Sequence, residues 1–307
     1  LHLLSRRQRQ MCIRDRKIGG NMNICLKVNT DKGHAIKCAK EIITLLTDCG
    51  ATILMKRDAK EHFESFKDII YYKSDNELFA NADKAVTVGG DGTIIHNARH
   101  AAENNIPLIG VNCGHLGFAA EIEPEEVSEL KRLLTDDYTT DERMVIEVSV
   151  VKETSTKTFS CINDAVISRG QLSRIIDLNL YVDGEKATHY SADGLIFATP
   201  TGSTAYSLSA GGPVVEPTMS CVVLTPICPH SLVDRTVIFN GNSVLSVYSE
   251  SYGTSESYLT IDGQIVIPLS SRDKVIIKKS PYILKMISFK NKNFYRRVSE
   301  KLKERDD

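Results

Sequence analysis

Gly89-Gly90-Asp91-Gly92-Thr93 sets one carboxylate inside a glycine-rich turn. Before it lies the apolar run Lys84-Ala85-Val86-Thr87-Val88, and after it Ile94-Ile95-His96-Asn97-Ala98-Arg99 opens a helical pattern. Three glycines are expected to let the backbone take φ > 0 and come close to a ligand. Free amides of the turn and of the helix N-terminus would then favour a phosphate, which makes Gly89, Gly90, Gly92 and Thr93 a candidate phosphate-binding turn. A carboxylate in an anion-binding turn is electrostatically odd unless it handles a hydroxyl or a metal beside the phosphate. A tight strand-to-helix turn with Asp91 as the helix N-cap accounts for these five residues equally well.

Other clusters offer polar chemistry. Asn163-Asp164 puts an amide beside a carboxylate at the end of a predicted strand, and Asp193-Gly194 precedes another. Residues 199–213 pack hydroxyls and small residues into a loop running into a short helix, suited to hydrogen-bonding a polar ligand at close backbone range. A Ser/Thr-rich surface loop is the alternative, and the length of the segment and its Gly-Gly-Pro stop weigh against it. The chain has no GxxxxGK[ST] loop, so a phosphoryl donor would have to be managed by the backbone turn and a divalent metal.

These groups need elements to position them. From Met22 to about Glu121 strands alternate with helices: strands at 22–28, 51–55, 84–88 and 107–112, and helices at 34–47 and from the glycine turn to about Asn104. Ala35, Cys38, Ala39, Ile42, Ile43 and Leu46 fall on one face of the first helix. Such alternation predicts a Rossmann-like parallel sheet, with ligands at the carboxyl ends of its strands. After a helix expected over 125–134, the texture turns to short β-branched runs at 145–152, 157–163, 175–182, 195–199, 222–225, 237–239, 244–248, 258–262 and 275–278. Asp183-Gly184, Asn240-Gly241 and Asp262-Gly263 supply turn signals, as in a β-rich, sandwich-like domain. A charged helical tail is expected over 293–307, with Phe294, Val298 and Leu302 as one docking stripe. The predicted division is an α/β domain at 22–122 joined by 282–307, and a β-rich domain at 123–281.

Residues 1–21 read differently from the rest. The run 6–16 looks like the translation of a transposon sequencing adapter, and Gly19-Gly20 could be encoded by a ribosome-binding sequence, so the native chain is expected to begin at Met22. That segment holds six basic residues and one acid, and without its +5 the net charge of −1 becomes −6. A mildly acidic body gives no reason to expect nucleic acid. No apolar run is long enough to span a bilayer. The remaining cysteines are scattered, without CxxC or paired histidines, and read as core residues of a reducing, cytoplasmic protein.

Taken together, Gly89-Gly90-Asp91-Gly92-Thr93, Asn163-Asp164, the Thr-Gly-Ser-Thr-Ala-Tyr-Ser-Leu-Ser-Ala-Gly-Gly-Pro run, Ile227-Cys228-Pro229-His230-Ser231-Leu232 and Asp262-Gly263-Gln264 resemble the NAD kinase family, in the expected order from Met22 onward. The first motif alone is shared with diacylglycerol, sphingosine and phosphofructo-kinases; the two long runs are far more specific. The resemblance implies that Asp91 is the base for the adenosine 2′-hydroxyl of NAD, with Gly92 against the ligand. By the same similarity His96, Arg174, Asp193 and Gln264 match binding positions. Asn163 and Asp164 match an Asn-acid pair that holds a ribose or adenine, with Asp here where many members have Glu. Thr204, Ala205, Tyr206, Ser207, Leu208 and Ser209 match a binding run, Tyr206 lying against a ring, while His230 matches a structural position.

The resemblance further implies Mg²⁺ or another divalent metal, ATP or polyphosphate as donor, NADP as product, and a homodimer or homotetramer. It assigns no metal ligands. A lipid kinase of the diacylglycerol or sphingosine type and a non-catalytic NAD(P)-binding regulator are the competing readings. The hydroxyl-rich run at 199–209 argues against an acyl channel, and the retained Asp91 against a mere binder.

Overall fold

A computed structural model of the chain describes residues 22–114, 117–170, 175–231, 233–249 and 257–289, together with 294, 295, 298 and 299. The adapter-like segment 1–21, Arg174, Leu232 and most of the predicted tail helix lie outside the described residues. The four described tail positions are helical.

In the N-terminal region β1 (Asn23–Val28), α1 (Gly33–Asp48), β2 (Thr52–Lys56), β3 (Ile70–Tyr72), α2 (Asp75–Ala80), β4 (Lys84–Gly89), α3 (Asp91–Asn104) and β5 (Leu108–Asn112) follow in turn. The strands pair in parallel in the order β3-β2-β1-β4-β5. On α1 the predicted face is the buried one: Ala35, Cys38, Ala39, Ile42, Ile43 and Leu46 all lie in the core. β3 and α2 carry no sequence forecast: β3 is only three residues, all exposed or half-buried, and α2 only six. The helix expected over 125–134 is a 3-10 helix, Pro124–Thr135. Its buried residues Val127, Leu130 and Leu133 recur every three positions, which a three-residue turn stacks on one face and an α-helix would fan out.

The C-terminal region contains β6 (Thr139–Val151), β7 (Thr156–Cys161), β8 (Asp164–Arg169), β9 (Ile176–Val182), β10 (Glu185–Ala192), β11 (Gly194–Ala198), a short α4 (Tyr206–Ser209), β12 (Cys221–Ile227), β13 (Val237–Asn240), β14 (Leu245–Ser249), β15 (Ser257–Ile261), β16 (Ile265–Leu269) and β17 (Lys274–Ser288). One antiparallel sheet has the order β13-β12-β11-β8-β15-β16. It packs face to face on the other sheet through a shared core in which Ile146, Val148 and Ile277 meet Leu195, Phe197 and Leu259. β17 pairs with β6 and β14, then meets β5 in parallel at Met286 and Leu108, so the parallel sheet and half of the sandwich form one continuous sheet.

Asn163-Asp164 does not end a strand as predicted. β7 stops at Cys161 and Asp164 begins β8, because the backbone turns there toward Asp262. Asp183-Gly184 and Asp262-Gly263 form the expected left-handed turns, with φ of 51° and 92° and of 50° and 67°. Asn240-Gly241 has no positive φ. A Cβ on Gly241 would fall on Ser220, so close approach explains the glycine there.

Candidate functional site

The carboxyl ends of β1, β4 and β5 meet at the glycine turn, as expected of an open parallel sheet. Two expectations about that turn are overturned. Gly89, Gly90 and Gly92 all avoid positive φ, since the chain leaves β4 extended at Gly90 (φ −88°, ψ 178°) and enters α3 directly. Gly90 is the N-cap, no side chain caps α3, and Asp91 is its first residue. Of the three, Gly89 is needed for room: a Cβ there would stand 2.8 Å from Cβ and Oγ1 of Thr93, whereas one on Gly90 or Gly92 would meet nothing within 4 Å.

Freed from capping, the Asp91 carboxylate crosses to the loop after β5. Phe118 N–H donates to Oδ2 at 2.8 Å and Ala119 N–H to Oδ1 at 3.2 Å. A Cβ on Gly117 would fall on this carboxylate, so the loop wraps it without a side chain in between. The Lys32 ammonium reaches the same corner, 3.5 Å from where a Cβ on Gly114 would stand, while Gly90 Cα is 3.3 Å from that point. Lys32 carries no sequence signal beyond its place just after β1, at the N-cap of α1.

The facing wall comes from the sandwich. Thr199 N–H donates to the Asn163 carbonyl at 2.8 Å, and Thr199 Oγ1 to the Ile162 carbonyl at 2.6 Å. Gly202 packs on the same Asn163 carbonyl so tightly that a Cβ would overlap it. Asp164 is buried, and burial pushes its carboxyl up to about 7; the nearby Asp262 carboxyl adds to the rise and the Tyr206 amide opposes it. Asp262 is held by the amides of Ile162, Asn163 and Asp164. Burial raises its carboxyl too, against the pull of those amides.

Between the walls lies a cleft of about 290 Å³ lined by Asp91, Gly92, Asn163, Thr204 and Ala205, five of the residues singled out in the sequence. Phe118 and Thr201, the latter from the hydroxyl-rich run, line it too, and Glu121, Arg143, Glu216 and Ser288 line it without having been anticipated. Glu121 and Arg143 are buried charges, and Glu121 accepts hydrogen bonds from Ser288 Oγ (3.0 Å) and the Phe289 amide (3.1 Å). Single-residue patterns could not flag them, since they come from four separate elements or loops.

The other described residues singled out in the sequence as binding positions are not in the lining of the cleft. His96 Nδ1 and Gln264 Oε1 are 2.6 Å apart, so the ring nitrogen donates, and Gln264 Nε2 donates to the Gly92 carbonyl at 3.5 Å. Ser207 is buried against Thr225, at 2.9 Å between hydroxyls. Tyr206 is 46% exposed, Ser209 is exposed and Leu208 is half-buried. Asp193 accepts from Arg169 Nε at 2.6 Å. Thr93 Oγ1 accepts from Asn29 Nδ2 at 3.4 Å. The His230 backbone ties its loop to Ser191 through N–H···O at 2.8 Å.

No group of three or more His, Cys, Asp or Glu side chains is arranged to hold a metal ion among the described residues. An ion of the Mg²⁺ type characteristically keeps waters and binds through one or two carboxylates plus a substrate's phosphates, so a single carboxylate beside the turn suffices on the protein side. Asp91 is the carboxylate that would serve there.

Residues 24–138 match the ATP-NAD kinase N-terminal domain family, and residues 162–289 the ATP-NAD kinase C-terminal domain family. An NAD kinase of Thermoanaerobacter sp. (strain X514) is 42% identical over 237 residues, covering 76% of this chain and 83% of the relative. One of Caldanaerobacter subterraneus subsp. tengcongensis is 37% identical over 281 residues, covering 90% and 97%. Among solved structures, yeast NADH kinase complexed with NADH superposes with a TM-score of 0.84 at 27% identity, over 93% of this chain and 88% of that one. An NAD kinase from Archaeoglobus fulgidus in complex with ATP gives a TM-score of 0.69 at 26% identity, over 92% and 99%.

Proposed function

The chain belongs to the NAD kinase family and is a kinase, and we propose that Asp91 takes the proton from the adenosine 2′-hydroxyl of NAD as a phosphoryl group is transferred to it. One observation carries this reading: the Asp91 carboxylate lines the same cleft as Asn163, Thr204 and Ala205, the residues that match the nucleoside-binding positions. A ribose hydroxyl is a poor nucleophile, and phosphoryl transfer depends on alignment and charge neutralisation more than on covalent help. The Phe118 and Ala119 amides fix the direction of the Asp91 carboxylate. Accepting the hydroxyl proton contributes about 10²–10⁴ in rate.

The donor side falls to the turn 89–93 and to Lys32. The uncapped start of α3 supplies amides and the positive end of a helix dipole, and Lys32 supplies a full charge where a Walker lysine is missing. A bound divalent ion would neutralise the donor's phosphates, with Asp91 the protein group beside it. ATP is the donor we favour over polyphosphate, because the archaeal relative with the same fold is complexed with ATP. NADP is then the product. The seven described cysteines are all free, which supports a cytoplasmic setting. The edge strand β13, with Val237 and Ile238 exposed, supports assembly as a homodimer or homotetramer.

The deciding assay mixes the purified protein with NAD and ATP, and separately with NAD and polyphosphate, and follows NADP with an NADP-specific dehydrogenase. NADP formation is expected in the ATP arm. Phosphate transfer to diacylglycerol in place of NAD, or tight NAD binding without turnover, would overturn the assignment in favour of a lipid kinase or a regulator. Neither alternative is favoured by the family matches.

A further inference from the structure

We propose that Asp262 is a positioning residue, and that the turn 262–264 is the strut that sets the two walls of the cleft against each other. The inference rests on reading the cleft as the NAD site. Asp262 Oδ1 accepts from Asn163 N–H at 2.6 Å, Ile162 N–H at 3.1 Å and Asp164 N–H at 3.3 Å, and Oδ2 accepts a second contact from Ile162 N–H at 3.0 Å. Cys161 Sγ donates at 3.3 Å, and the Asp262 amide returns a bond to the Asp164 carbonyl at 2.9 Å. Three successive backbone amides converging on one carboxylate form an anion-binding nest whose anion is a side chain from 99 residues away.

The second end of the strut is Gln264. Two residues beyond Asp262, it contacts His96 Nδ1 at 2.6 Å and the Gly92 carbonyl at 3.5 Å, on the first two turns of the helix that carries Asp91. One hairpin tip therefore touches both the backbone that presents Asn163 and the helix that presents Asp91. Because Asn163 is also held through its carbonyl by Thr199, Asp262 completes a clamp on both faces of its peptide units and leaves the side chain to the cleft.

An internal control shows that this is more than the ordinary chemistry of an Asp-Gly hairpin. Asp183-Gly184 makes the same left-handed turn, yet among the described residues the Asp183 carboxylate takes one amide, Val244 N–H at 2.8 Å, and it does not line the Asp91 cleft. The same dipeptide thus closes a hairpin in one place and organises a remote loop in the other.

Asp262→Asn keeps shape and one acceptor but turns an NH₂ group toward backbone N–H groups. It is expected to raise the KM for NAD by about tenfold or more while kcat changes by less than about threefold. Hydrogen exchange at the amides of 162–164 should quicken by about tenfold or more, and Asp183→Asn should alter none of the three readouts. An unchanged KM with unchanged exchange, or equal changes in the Asp183→Asn protein, overturns the proposal. If Asp262→Asn fails to fold, exchange in the wild-type protein decides: amides 162–164 protected as well as those of β8 support the clamp, and freely exchanging ones refute it. A wild-type protein that makes no NADP would defeat the functional reading alone, and the exchange measurement would still judge the clamp.

Discussion

On one wall of the cleft Asp91 is placed by its immediate neighbours, a buried strand, a glycine turn and the first residue of a helix. On the other, Asn163 is placed by Asp262, Thr199 and Gly202, none of them nearby in the chain. The first wall needs only local geometry to aim its carboxylate, and then borrows two amides from the loop after β5. The second has no element of its own, since Ile162 and Asn163 lie between β7 and β8 and depend on long-range hydrogen bonds. On the proposed function, chemistry is concentrated on the locally encoded wall, and substrate positioning on the wall assembled from a distance.

Substitutions should separate the walls. The largest effect is expected from Asp91→Asn, which should lower kcat by about 10²–10⁴ with little change in Tm or NAD affinity. Near-normal turnover in the folded variant would remove Asp91 from its role. Gly202→Ala should come next and act on stability, because the added methyl meets the Asn163 backbone, which cannot swing aside. Calorimetry should show a loss of about 1–3 kcal/mol together with a higher KM for NAD. Gly117→Ala meets only the end of the Asp91 side chain, so its cost should appear in kcat, about tenfold, with Tm nearly constant. Equal stability losses in the two glycine variants would erase the contrast.

The smallest effect concerns pH. Asp164 in the folded protein holds its proton up to about 7 against an ordinary value of 3.8, so the native state binds that proton more tightly than the unfolded chain. The corresponding stability is fully present below about 3.8 and is lost as pH rises toward 7. Melting across that window should show a decline that is shallower in Asp164→Asn by roughly 2–4 °C. A parallel decline in both proteins would reassign the pH dependence to other groups.

Much of the fold was legible because burial leaves a periodic trace. The α1 stripe and the apolar runs of β4 and β5 announce a parallel sheet, and two of the three glycine-containing turn pairs form the expected hairpins. β3, β8, β10 and β16 left weaker traces: β3 has three residues, β10 is mostly exposed, and β16 alternates without a fully buried position. The second half of β17 was invisible for another reason, since its pairing with β6 resumes only after an irregularity between Lys279 and Ile283.

By itself the sequence determined which groups could do chemistry, because a carboxylate in a glycine turn and a hydroxyl-rich run are written in consecutive residues. It also determined the order of elements, through apolar periodicity. Only the tertiary structure decided that Asp91 is aimed by amides of the loop after β5 and is not a cap, that Glu121 and Arg143 share its cleft, and that Asp262 holds Asn163 in place. A backbone amide looks the same at every position of a sequence, and which carboxylate it meets is fixed by how sheets pack.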